Sequence, residues 1–274
     1  MKKLIHPIIM YLLVISFALL ADDAKWETGV GIGGISLPHY PGSDERLELI
    51  LPIPYGSYED KKTIIDRDGI NYNLFGLNNL DLSLSFGVGF PVDSEDNKAR
   101  QGMNDLNPIF EMGPSFKYWL FKSTDRKLSL ELPIRAAVAF DDLTAHDQGF
   151  AGDLKLNYVQ KIQGWKLSAF YRFLFADRKY HSQYYDVEQQ FVTAKRGFYR
   201  SRKGVSGNAI GFTASKRFGD FYFGLYTRYE NLSNAANHES PLLKTDHNLY
   251  FSAAFSWVFA SSDSKIVYST AHSD

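Results

Sequence analysis

Apolar and polar residues alternate strictly along much of this chain. In LDLSLSFGVGF, Leu80, Leu82, Leu84, Phe86, Val88 and Phe90 fall on one face, and Asp81, Ser83, Ser85, Gly87 and Gly89 on the other. KLSLELPIRAAVAF sets Leu128, Leu130, Leu132, Ile134, Ala136, Val138 and Phe140 against Lys127, Ser129, Glu131, Pro133 and Arg135. Phe110, Met112, Pro114, Phe116 and Tyr118 likewise oppose Glu111, Gly113, Ser115 and Lys117, and the split recurs over 165–175 and 221–230. A period of two is that of a strand with unlike faces. These runs are about twice the usual globular strand and near the length that crosses a bilayer when tilted.

Alternation alone also fits a soluble sandwich. Three further features favour an all-β, closed antiparallel transmembrane β-barrel. Aromatics gather at strand ends (Trp26, Tyr118, Trp119, Phe121, Phe140, Trp165, Phe175, Tyr229, Trp257), as in the girdles at membrane interfaces. Tight turns (GLNN, KSTDR, QG, FGD) alternate with long polar loops (91–107, 141–149, 177–205, 232–247), with 37–47 a further outer connection. Lys2 and Lys3 precede the apolar run PIIMYLLVISFALLA, which reads as a cleaved export signal over 1–21. The barrel then occupies 22–259 and a short periplasmic tail 260–274. Both barrel ends in the periplasm require an even strand number, so about twelve strands are expected, with ten the alternative. Twelve needs a reversal in KKTIIDRDGINYNLF at Asp68-Gly69.

Composition fits export. The chain has 274 residues and no cysteine, so disulfides cannot stabilise it, and its net charge of −1 argues against nucleic acid. Beyond the leader no segment stays apolar long enough for a helical span.

WETGVGIGGISL contains the G-x-G-x-x-G of dinucleotide sites at Gly29, Gly31 and Gly34. A pyrophosphate loop must open a helix, and Pro38, Pro41 and Gly42 forbid one here. Instead Glu27, Gly29, Gly31 and Gly33 share one strand face, where a packed lumen or curved strand leaves no room for side chains. The glycines are architectural.

The alternation places Glu27, Asp81, Glu111, Lys117, Glu131, Arg135, Asp153, Lys155, Lys166, Arg172, Arg228 and Glu230 in the lumen. Charges of both signs there should pair, giving an ion-paired plug or a narrow polar pore. No catalytic, cofactor or metal residues are assigned. His39 with Ser43 and His238 with Ser240 share outer loops, but no strand presents a His and a Ser as same-face neighbours, as activation of a hydroxyl would require. The seven histidines are scattered, and DDLTAHD (Asp141, Asp142, His146, Asp147) reads as a hydrated acidic loop. AKRGFYRSRKG places Lys195, Arg196, Arg200, Arg202 and Lys203 in the longest loop, solvated or touching glycolipid phosphates.

WETGVGIGG, PHYPGSDERLELILPIPYGSYE, DLNPIFEMGPSFKY, ESPLL and NLYFSAAFSWVF together resemble the MipA/OmpV family of Gram-negative outer-membrane proteins, named partly for an MltA-interacting protein. Tyr40, Gly42, Ser43, Pro52, Pro54, Glu111 and Gly113 are the most specific residues. Ser252, Phe255, Trp257 and Phe259 resemble the outer-membrane insertion signal, with Ala254 where that signal usually has Gly and a tail after Phe259. The resemblance implies a scaffold joining a murein hydrolase to a peptidoglycan synthase in wall growth. It also implies outer-membrane lipid, lipopolysaccharide and the outer-membrane assembly machinery as surroundings. The long loops point instead to a narrow channel or a surface adhesin or antigen.

Overall fold

The computed structural model describes residues 24–59, 63–66, 69–72, 79–141 and 144–262. The expected leader and most of the tail lie outside these residues. Ten long strands form one curled antiparallel sheet: β1 (Lys25–Pro38), β2 (Arg46–Glu59), β5 (Leu80–Gly89), β6 (Ile109–Lys122), β7 (Arg126–Asp141), β8 (Thr144–Ile162), β9 (Trp165–Ala176), β10 (Gly204–Phe218), β11 (Phe221–Asn231) and β12 (His247–Ser261). A hairpin of two four-residue strands, β3 (Thr63–Asp66) and β4 (Gly69–Tyr72), continues from β2. Its ladder pairs Asp66 with Gly69, bracketing the reversal expected there; Asp68 lies outside the described residues. The ladder order is β4-β3-β2-β1-β12-β11-β10-β9-β8-β7-β6-β5, so the first and last strands pair.

The sheet is built inside out relative to a soluble protein. On its convex face Ile50 is 76% exposed and Val88 69%, and Phe116, Ile210, Phe255 and Trp257 are also exposed. On the concave face Glu111, Arg135, Asp153 and Glu230 are buried. So much contiguous apolar surface is stable only against an apolar medium, such as bilayer hydrocarbon. No described helix is long and apolar enough to cross a membrane.

The glycine-rich opening of β1 obeys the close-approach reading. Gly31 pairs with Ser256 of β12, and a Cβ there would lie 2.5 Å from the Phe255 carbonyl. On β2, Pro52 and Pro54 pair with Ile32 and Val30. A proline has no N–H to donate, so these are non-hydrogen-bonded pairs, and the vacant donor positions face away from β1.

One expected loop is not a loop. Residues 141–149 belong mostly to a hairpin in which β7 and β8 run on together, pairing Asp141 with Thr144 and Ala139 with His146. Thr144–Asp147 are exposed, so this stretch projects into solvent and carries no apolar alternation to mark it as strand. The 177–205 connection is also more ordered than a polar loop: it holds α1 (Arg178–Tyr185) and a 3-10 turn at Gln189–Phe191.

Candidate functional site

Neighbouring strands set the charges of the concave face side by side. The Arg135 Nε donates to Glu111 Oε2 at 2.8 Å, its Nη1 to Ser85 Oγ at 3.2 Å, and its Nη2 reaches Asp153 Oδ2 at 3.4 Å. Arg172 grips the same Asp153 with both arms, Nε to Oδ1 at 2.8 Å and Nη2 to Oδ2 at 2.6 Å. The Asp153 side chain is wholly buried, and only this fork-on-carboxylate geometry makes such a charge tolerable. Toward the tight turns, Glu131 bridges Lys117 at 3.4 Å and Lys155 at 3.3 Å and accepts from Ser129.

The other lumen candidates form separate groups. Glu230 accepts from Tyr250 at 2.7 Å and lies 3.7 Å from Arg228, whose guanidinium is 3.7 Å from the centre of the Tyr250 ring. Glu27 accepts from Tyr55 and pairs with Arg217 at 3.2 Å. Asp81 accepts the Trp119 indole N–H at 2.7 Å. Lys166 sits across from Lys161 near the tight turns.

At the opposite end the connections 39–45, 90–108, 177–203 and 232–246 fold into a cap with its own core. Tyr40, Val92, Leu106, Tyr184, Tyr185, Val187 and Leu242 pack there with Ile109, Ala137 and Ala139 of β6 and β7. Asp177 starts α1 by accepting from the Tyr180 N–H at 2.8 Å, an N-cap. The helix is pinned to the sheet twice. Tyr180 donates to Glu111 Oε1 at 2.7 Å, joining the cap to the charge network, and burial pushes that phenol's pKa well up. His181 donates from Nδ1 to the Arg202 carbonyl at 2.7 Å, which leaves Nε2 to accept from the Ser206 hydroxyl at 2.8 Å; burial lowers its pKa. Sequence reasoning missed His181 and Ser206. They lie far apart along the chain, and the one local signal was Asp177 placed to cap a helix.

The family-motif residues divide between these two regions. Tyr40, Gly42 and Ser43 build the cap: the Tyr40 hydroxyl donates to the Leu242 carbonyl at 2.8 Å, and Ser43 accepts from Asn97 at 3.1 Å. Glu111 and Gly113 are on β6, where a Cβ on Gly113 would run into the Ile134 carbonyl. Pro52 and Pro54 are the strand positions described above. Among the insertion-signal residues, Phe255, Trp257 and Phe259 are exposed on the convex face, with Phe255 stacked on Phe221 at 5.4 Å, while Ser252 has the opposite parity.

The hydroxyls weighed for catalysis are otherwise engaged. Ser240 donates to the Tyr185 carbonyl, Ser43 to the Glu45 carbonyl, and His238 meets Asp246 at 3.0 Å. The described residues hold no metal-ligand cluster. Within the basic run, Arg196 donates to the carbonyls of Phe191, Ala99 and Gln101 and so has a structural role. Arg202 pairs with Glu239. With Lys98, Lys195 and Lys244, Arg196 also lines a cavity of about 510 Å³ on the cap.

Residues 30–259 match the family described as MltA-interacting protein MipA. No curated protein matches the chain. Among solved structures, the outer membrane protease OmpT from Escherichia coli aligns at 9% identity over 88% of this chain and 98% of its own, with a TM-score of 0.36. The translocator domain of the autotransporter NalP from Neisseria meningitidis aligns at 10% identity over 91% and 94%, with a TM-score of 0.40. The CymD monoaromatic hydrocarbon channel aligns at 10% identity over 93% of each chain, with a TM-score of 0.36.

Proposed function

Since the chain belongs to the MltA-interacting protein MipA family and is an outer-membrane β-barrel protein, we propose that it is a scaffold that holds a murein hydrolase beside a peptidoglycan synthase at the periplasmic face of the outer membrane. In this reading β4, which lies alongside β5, closes a twelve-stranded barrel. The long-loop end faces outward and the tight turns face the periplasm. The observation that carries the reading is the cap: the outer mouth is filled by a folded core anchored to the wall charges, which suits a platform better than a wide conduit. What remains free to work is then the turn end, on the side where wall enzymes act.

The test is retention of partners. Mature protein extracted from membranes in mild detergent should hold a lytic transglycosylase and a peptidoglycan synthase through purification, whereas an unrelated barrel of similar abundance should not. Loss of both partners, or equal recovery on the control barrel, removes the scaffold reading. The second reading, a surface adhesin or a narrow channel, draws on the ordered cap and its basic cavity. Ion conductance in planar bilayers separates its two forms.

A further inference from the structure

The charges of the concave face are not balanced evenly along its length. In the middle, every acid of the network has a cation within ion-pair reach: Glu111 has Arg135, Asp153 has Arg135 and Arg172, Glu131 has Lys117 and Lys155. At the tight-turn end lysines gather among the described residues. The ammonium groups of Lys117, Lys122 and Lys127 lie 5.5, 5.2 and 5.7 Å from the centre of one ring, Trp119. Lys161 and Lys166 on β8 and β9 also lie close enough to Lys127 to repel it. Among the described residues the acids near it are engaged: Asp81 with the indole N–H, Glu131 with Lys117 and Lys155, and Asp125 and Glu59 with the charge of Lys161.

These lysines are not arranged to snorkel toward lipid. Strand parity puts Lys117 with Glu111 and Ser115, and Lys127 with Ser129 and Glu131, on the concave side, and Lys122 pairs directly with Lys127. Lys216 shows the contrast. It pairs with Trp165 and lies over the Trp165 and Phe218 rings, as an interface lysine does. Holding several ammonium groups around one indole costs repulsion, and among the described residues neither Lys122 nor Lys127 has a carboxylate within ion-pair distance to relieve it. An anion entering from the turn end would relieve it and would meet an aromatic floor as well.

We propose that the turn-end vestibule around Trp119 is a binding site for a small polyvalent anion, one carrying two or more clustered phosphates or carboxylates. Lys122 and Lys127 are its contacts, with Lys117, itself paired with Glu131, beside them. The site requires the curled sheet but not the wall-enzyme reading, so either can fail alone.

The test uses the folded full-length mature protein in detergent, titrated with tripolyphosphate and with citrate, against sodium chloride at matched ionic strength. Binding is followed by calorimetry and by tryptophan emission. The expected result is saturable binding of at least one probe, weakened about tenfold or more in Lys122→Gln/Lys127→Gln. The heat-modifiable gel shift and strand spectrum should be unchanged. Trp119→Phe should abolish the emission change and keep the calorimetric binding. Tripolyphosphate alone binding would assign a phosphate ligand, and citrate alone a carboxylate ligand. No saturation beyond the salt control overturns the proposal, as does equal affinity in the double variant. If the double variant does not fold, Lys122→Gln alone, at the exposed position, decides by the same comparison.

Discussion

Asn248, the second residue of β12, holds the first loop by both ends of its amide. Its Oδ1 accepts from the Gly42 N–H at 2.6 Å and its Nδ2 donates to the Ser43 carbonyl at 2.9 Å, with Asn248 and Ser43 both buried. Gly42 has φ +89°, and a Cβ there would lie 2.7 Å from Leu243 Cγ, so the position requires glycine. Replacing Asn248 by Ala strands a buried donor and a buried acceptor at about 1–3 kcal/mol each. Hydrogen exchange over 39–45 should accelerate markedly in Asn248→Ala, while the barrel's resistance to boiling-free gel denaturation stays that of the parent. Unchanged exchange would show that the loop is held elsewhere.

Asp153 is where the wall network should be most sensitive. Removing the carboxylate in Asp153→Ala leaves the Arg172 fork and one arm of Arg135 buried without an anion, a loss of about 3–5 kcal/mol. Urea unfolding in detergent should show it as a lower midpoint with an unchanged slope. Glu239→Ala, which breaks an exposed pair with Arg202, should move the midpoint by about 1 kcal/mol or less. Equal effects of the two substitutions would contradict the burial argument.

The strands were legible because period-two alternation is written locally, and a membrane barrel repeats it wherever one face meets lipid and the other does not. The charged residues could be placed on a face for the same reason. Their partners could not, because Arg135 reaches Glu111 and Asp153 only once the registers of β6, β7 and β8 are set. The cap was illegible for a different reason. Contacts such as Tyr40 with Leu242 and Ser43 with Asn97 join distant loops, and the buried stripe of α1, His181, Tyr184 and Tyr185, spans too few residues of one eight-residue helix to mark it in the sequence. The start of β8 carries no strand pattern because Thr144–Asp147 are exposed on both faces, although Ala139 opposite His146 is buried.

The cap should also respond to pH through His181. Burial lowers this imidazole's pKa in the folded state, opposed first by its hydrogen bond to the Arg202 carbonyl and then by Asp177. The unfolded cap therefore binds the proton more readily than the folded one. Stability is full above the ordinary value of 6.5, declines as pH falls below it, and levels off once pH is under the folded value. Exchange of the α1 amides, corrected for intrinsic rates, should rise between pH 7.5 and pH about 5. His181→Gln should flatten that dependence. A parent protein whose α1 protection is the same at both pH values would refute the assignment.

The proposed platform needs the cap to obstruct the barrel mouth, and unpacking the cap tests that. Val187 and Leu242 are both 0% exposed in the cap core, and an unpaired carboxylate there is costly enough to drive local opening. The strands keep their own ladders and charge pairs, so Val187→Asp should still show the heat-modifiable gel shift. In planar bilayers the parent should be silent or pass only small steps, and Val187→Asp should pass larger ones, since the obstruction is the cap. Wide steady conductance in the parent would mean that the cap does not close the mouth, and the scaffold reading would lose the observation that carries it. A silent variant with confirmed cap exchange would place the obstruction lower, among the Glu111, Arg135 and Asp153 side chains, and leave a platform as the better description of the barrel.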